Sequence, residues 1–201
     1  MDSDDLQRLK EALPKLPDLN WGMFKVIFLA LVAIVGILTS IYTIPPESVG
    51  VVMRFGEYSS TSEPGLRMKL PFFIDQVEEV PVKRKLKQEF GFATAGATNP
   101  YQSSKGRTQE SEKSMVTGDS NVALVEWVVQ YHIEDPTNFL FKVRNPDETL
   151  RDSSESIMRE VVGDRSVDEV ITFGRQEIEI EAKTKLQELV NKYEMGLGID
   201  L

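Results

Sequence analysis

The hydrophobic pattern along the chain changes period three times. Between Lys25 and Glu47 no residue is charged, and Val26 to Leu38 is almost wholly apolar. As a helix, an uncharged run of this length rises about 31 Å, one hydrocarbon core. The remainder is too polar to bury such a helix on every side. A membrane span over residues 26–44 is therefore expected, with a tail at 1–25 and a folded domain at 45–201. The run is too long for a signal peptide, and no small-x-small cleavage site follows it.

Period two follows. Pro45-Pro46 is expected to break the helix. Val49, Val51, Met53 and Phe55 then alternate, a strand closed by Gly56. Pro64-Gly65 suits a type II turn, followed by a short strand from Arg67 to Leu70. From Gln76 to Phe90 one long alternation places Val80, Val82, Leu86 and Phe90 on one parity and Lys83, Lys85 and Lys87 on the other. This lysine row reads as a solvated strand face, or as a basic face for anionic headgroups. Residues 92–114 lose all periodicity and read as a mobile insertion loop. Met115 to Thr117 resumes a strand, and Gly118 to Asn121 is a turn. Val122 to Ile133 is the clearest strand, with Ala123, Val125, Trp127, Val129, Tyr131 and Ile133 sharing one face.

Helical spacing takes over after Asp135-Pro136, which opens a short helix through Phe139 and Phe141. At Asn145-Pro146-Asp147-Glu148 the reading is an Asn145 cap, Pro146 at the first helical position and Glu148 reaching back. Leu150, Ile157, Met158 and Val161 form the apolar stripe, and Gly163 ends the helix. Ser166 and Glu169 form a capping box. A long helix runs from about Arg175 to Met195, with Ile178, Ala182, Leu186, Leu189 and Tyr193 as its buried stripe and Gly196 as its C-cap. Gly198 to Leu201 opens another strand. Strands followed by helices give an α+β domain.

Charge adds direction. The chain has 201 residues and a net charge of −9. Four basic residues (Arg8, Lys10, Lys15, Lys25) precede the span, whereas Arg54 alone follows it before Arg67. On the positive-inside rule the N-terminus is cytoplasmic and the domain faces outward. Trp21 and Tyr42 bracket the span as interfacial aromatics. Beyond it, 19 basic and 27 acidic residues leave −8, which argues against nucleic acid as a partner.

Candidate chemistry is thin. Without cysteine, thiolate nucleophiles and disulfides are excluded, and the single histidine, His132, leaves little metal or triad chemistry. His132 reads as a surface residue of a half-exposed strand, and Trp127 as core. Glu177, Glu179 and Glu181, spaced by two on a helix, scatter over its surface as solvated carboxylates. No Gly-x-Ser-x-Gly, Ser-x-x-Lys or phosphate loop occurs. No catalytic, cofactor-binding or metal residue is assigned, no small-molecule substrate is expected, and a non-enzymatic role follows.

Ile44-Pro45-Pro46-Glu47-Ser48-Val49-Gly50-Val51-Val52, with Gly56, Pro64-Gly65-Leu66 and Leu70-Pro71-Phe72 behind an N-terminal anchor, resembles the start of an SPFH (band 7) domain. That family includes stomatin, prohibitin, flotillin and the HflK and HflC branches. Thr117 to Asn121, Val125 to Tyr131, Pro146 to Asp152, Met158 to Gly163 and Gly174-Arg175 look like the HflK branch. The resemblance implies a curved, mainly antiparallel sheet with packed helices outside a bacterial inner membrane. It further implies an alternating ring with an HflC-like subunit, tuning the FtsH protease. It provides no catalytic residues. The branch continues into a long coiled coil and a C-terminal cap, so the resemblance also implies a truncated chain. The alternative is a stomatin- or flotillin-like organiser of membrane microdomains that works without a protease.

Overall fold

In a computed structural model of the protein, residues 21–92 and 112–200 are described. The tail up to residue 20, most of the insertion loop and Leu201 lie outside them. Helix α1 spans Trp21–Ser40, about 30 Å at 1.5 Å per residue. It starts before the apolar run and stops short of its end. Carbonyls of its last two turns accept from side chains and from a neighbouring segment. Thr39 Oγ1 donates to the Val35 carbonyl at 2.9 Å and Ser40 Oγ to that of Gly36 at 2.8 Å, while the Lys69 amide donates to the Ser40 carbonyl at 2.8 Å. Ile41–Ile44 is therefore not helix. It is strand β1, paired antiparallel with β4 (Gly65–Met68) from Ile41↔Met68 to Ile44↔Gly65. Cross-strand pairing ends the helix, ahead of Pro45-Pro46.

β2 (Val49–Arg54) turns back into β3 (Glu57–Ser62) through Phe55 and Gly56 at φ 53° and 87°. Two positive φ values are what a tight type I′ hairpin demands. β3 is polar and exposed on both faces, so no alternation announces it. On its other side β2 pairs with β5 (Asp75–Val80).

The long alternation from Gln76 to Phe90 is two strands. Pro81 cannot donate to a ladder, and the chain leaves the β2 sheet there to enter β6 (Leu86–Phe90), which pairs with Trp127–Tyr131. The lysine row dissolves with it. Lys83 and Lys85 lie between strands, and Lys87 Nζ sits 2.7 Å from Glu89 Oε1. Val122 to Ile133 also splits. β8 (Val122–Leu124) pairs with β7 (Ser114–Val116), whereas β9 (Trp127–Ile133) sits between β6 and β10 (Leu197–Asp200). The Val125 amide donates to the Lys113 carbonyl, one step beyond the Ser114↔Leu124 pair, so Val125 still belongs with the β7–β8 pairing and not with β9. The shared inward face expected of this stretch nevertheless holds, with Ala123, Val129, Tyr131 and Ile133 all buried.

The insertion loop ends sooner than residue 114. Glu112 is buried because Arg151 Nη2 donates to both its oxygens at 2.8 Å and Nε donates at 3.1 Å. Arg151 also lies 4.6 Å from the Phe90 ring centre.

The helices are α2 (Pro136–Phe141), α3 (Pro146–Gly163), α4 (Val167–Ile171) and α5 (Arg175–Lys192). Asp135 caps α2 through its side chain. Asn145 does not cap α3; its Nδ2 reaches Glu148 Oε2 at 3.2 Å instead. The capping box of Ser166 and Glu169 is complete. α5 ends in a Schellman motif, with the Met195 amide on the Val190 carbonyl and the Glu194 amide on that of Asn191. The left-handed position is Glu194 at φ 52°, not Gly196. Gly196, at φ 67°, serves the next turn, where a Cβ would lie 2.3 Å from the Asp135 carbonyl oxygen. Tyr193 is exposed, and Val190 takes its place in the buried stripe.

One core joins the two larger sheets to α3 and α5, around Val51, Phe90, Tyr131, Leu150, Val161, Leu186 and Leu197. Met195 closes it below the helix terminus.

Candidate membrane-facing site

The site is built where α1 meets the domain. Pro71 ends the path out of β4, and Phe72 and Phe73 follow at φ 61° and 62°. Two consecutive left-handed aromatic residues cost roughly 1–2 kcal/mol each and need holding. Asp75 supplies the hold. Its carboxylate is 5% exposed and accepts from Arg54 Nε at 2.9 Å, Arg54 Nη2 at 3.3 Å and the Leu70 amide at 3.0 Å. The Arg54 guanidinium, then the Leu70 amide, hold the Asp75 carboxyl below the usual carboxylate range. The Phe55 amide donates to the Ile74 carbonyl at 3.0 Å and closes the turn from the other side.

So braced, the turn leans on the anchor. A Cβ on Gly36 would meet the Phe72 ring at 3.3 Å and Pro71 Cγ at 3.7 Å. Gly36 and Ser40 are the buried residues of α1, and the small Gly36 receives an aromatic ring from its own domain. Gly36 lies four residues inside the helix end, about 6 Å along the axis. Phe73 is 90% exposed, Met68 79%, and Leu66 and Leu70 are also solvent-facing. Lys69 Nζ stands 5.8 Å from the Tyr42 ring centre. A groove of about 490 Å³ between α1 and the turn is lined by Val35, Thr39, Lys69, Leu70, Phe72 and Asp75, among others. The arrangement is an apolar shelf rimmed by a lysine and a tyrosine, the chemistry of a membrane–water boundary.

The residues weighed from sequence lie elsewhere. His132 Nδ1 is 3.1 Å from Asp200 Oδ2 and Nε2 is 3.5 Å from Glu134 Oε1. Trp127 stacks on Phe90 at 4.5 Å and its Nε1 donates to Ser154 Oγ at 3.0 Å. Glu177 and Glu181 do converge, at 3.3 and 2.7 Å from Arg165. Lys185 and Arg165 keep the Glu181 carboxyl below its ordinary range, and Lys185 also reaches Glu160 at 2.8 Å. This ion-pair network ties α3 to α5 and opens no cleft. Among the described residues no cluster of three or more metal-ligating side chains occurs. Sequence reading missed the shelf. Its available signal was Phe72-Phe73 directly behind a proline, apolar bulk where a turn calls for polar residues.

The class is thus a membrane-anchored α+β domain whose base is apolar. Residues 42–199 match the SPFH domain / Band 7 family, and the chain belongs to that family. It is similar to Protein HflK of Treponema pallidum (strain Nichols), 39% identical over 170 residues, 84% of this chain and 50% of the relative. It is also similar to Protein HflK of Borreliella burgdorferi (31% over 174 residues, 87% and 54%). Modulator of FtsH protease HflK of Escherichia coli (strain K12) is 34% identical over 180 residues, 89% and 37%. The chain spans about half the length, or less, of these relatives.

Proposed function

We propose that the protein is a non-enzymatic, HflK-like scaffold and regulatory subunit of the bacterial inner membrane. Its amino terminus is cytoplasmic and its domain extracytoplasmic. It assembles beside an HflC-like subunit and modulates an FtsH protease. One observation carries this reading: α1 passes into β1 with no linker, and Phe72 packs on Gly36. A domain held against its own anchor keeps a fixed height above the bilayer, as subunits packed side by side require. An enzyme reaching for dispersed substrates has no use for that constraint. The Escherichia coli relative is named a modulator of the FtsH protease, which supports the protease part of this reading.

Affinity capture of the tagged protein from membranes in mild detergent tests it. Recovery of both an HflC-like subunit and FtsH is expected; recovery of neither refutes it. The exposed apolar shelf also suits a stomatin- or flotillin-like organiser of lipids. That second reading expects homo-oligomers without an HflC-like partner.

A further inference from the structure

The groove between α1 and the Pro71 to Phe73 turn holds a lysine with no counter-ion among the described residues. Lys69 is half-buried at the rim, and its Nζ meets the face of the Tyr42 ring rather than a carboxylate. Asp75 also lines the groove and feels the Lys69 charge, but its oxygens are already taken by Arg54 and the Leu70 amide. Arg54, Lys69 and Asp75 together leave a net positive charge there.

Position limits what can meet that charge. The Lys69 amide donates to the Ser40 carbonyl at 2.8 Å, so Lys69 stands level with the last residue of α1. Val35, on the groove wall, comes five residues earlier, about 7.5 Å deeper along the helix axis. With α1 as the span, the groove runs from the membrane–water boundary into the acyl region. Its volume of about 490 Å³ lies within the usual range of small-molecule sites.

We infer that this groove seats one phospholipid of the adjoining leaflet, its phosphate on Lys69 and one acyl chain between Val35 and Phe72. Water would satisfy the ammonium but not the apolar wall below it. Another apolar helix would cover the wall and leave the ammonium bare. A phospholipid supplies both groups in the right order of depth. An anionic headgroup is preferred, because a zwitterionic one brings a second cation toward Lys69. Bound there, the lipid joins anchor to domain beside the contact of Phe72 with Gly36. The inference rests on the reading of α1 as a span, and not on the protein partners proposed above.

The test titrates the intact chain in detergent micelles with phosphatidylglycerol, phosphatidylcholine or inorganic phosphate. Native mass spectrometry counts bound lipid and oligomeric state. Expected is one phosphatidylglycerol per chain, held about fivefold or more tighter than phosphatidylcholine. Lys69→Gln should remove that preference. Val35→Phe fills the groove from a half-exposed position on α1 and should weaken both lipids. Arg67→Gln, a control on β4 at an arginine paired with Glu63, should change neither. Equal affinity of the wild type for both lipids overturns the inference. So does an equal loss in Arg67→Gln, which reports diffuse attraction to the surface. Displacement by inorganic phosphate leaves the acyl chain no role and overturns it too, and dimers that exclude lipid give the groove to a second copy. Alkaline carbonate extraction of membranes reads the anchor separately. Release of the wild-type chain refutes the span and the site with it, whereas a chain that resists extraction and retains no lipid refutes the site alone.

Discussion

Asp75 shows how one side chain sets the geometry of a whole surface. It gathers Arg54 from β2 and the Leu70 amide from the incoming chain, and between them the two phenylalanines are held in left-handed conformations. Because its carboxyl titrates lower in the folded state, its contribution is present above the unfolded value, about pH 3.9. That contribution fades as pH falls through the lower folded value. Asp75→Asn is therefore expected to lower the melting temperature at neutral pH, and the gap from wild type should narrow below about pH 4. A gap that stays constant down to pH 2 would contradict the ion pair. Leu150 makes a simpler case. It has no exposed surface, and Leu150→Ala should cost about 2–5 kcal/mol in denaturant unfolding. Leu150 was legible from its helical spacing. Asp75 was not, because its partner stands 21 residues away and sequence spacing holds no trace of the pairing.

At the scale of elements, boundaries followed competition between neighbours. The apolar run was visible as a span, but its last four residues went to β1 because β4 offered a ladder. Two long alternations each broke where the chain changes sheets. Strand period was right in both, and continuity was wrong, since period reports which face is buried and not which partner is used. The Pro71 to Phe73 turn behaves as an element in its own right. With Phe73→Cys carrying an environment-sensitive dye, fluorescence in vesicles should be quenched by nitroxide on the lipid chains and shielded from aqueous iodide. The same dye at Ser60→Cys on β3 should show the reverse. Iodide quenching at position 73 would place the shelf in water.

For the whole molecule, the four basic residues ahead of the span, against a single arginine soon after it, frame its topology. A reporter fused to the carboxyl end is expected to be active only if it functions outside the cytoplasm. A reporter active solely in the cytoplasm would invert the assignment. Docking of the domain on its anchor also means that any assembly inherits a common height, since no linker is available to absorb differences between neighbours.

The sequence by itself determined the apolar anchor, the order of strands before helices, most buried stripe positions and the capping box at Ser166. These depend on local period and local hydrogen bonds. Its motifs were enough to point to the family. Only the tertiary structure decided where the first helix ends, which strands share a sheet, how Arg165 recruits Glu177 and Glu181, and that Phe72 rests on Gly36. Each of those is a contact between segments distant in the chain. Such contacts are chosen by packing and by the satisfaction of backbone groups, which no single stretch of sequence specifies.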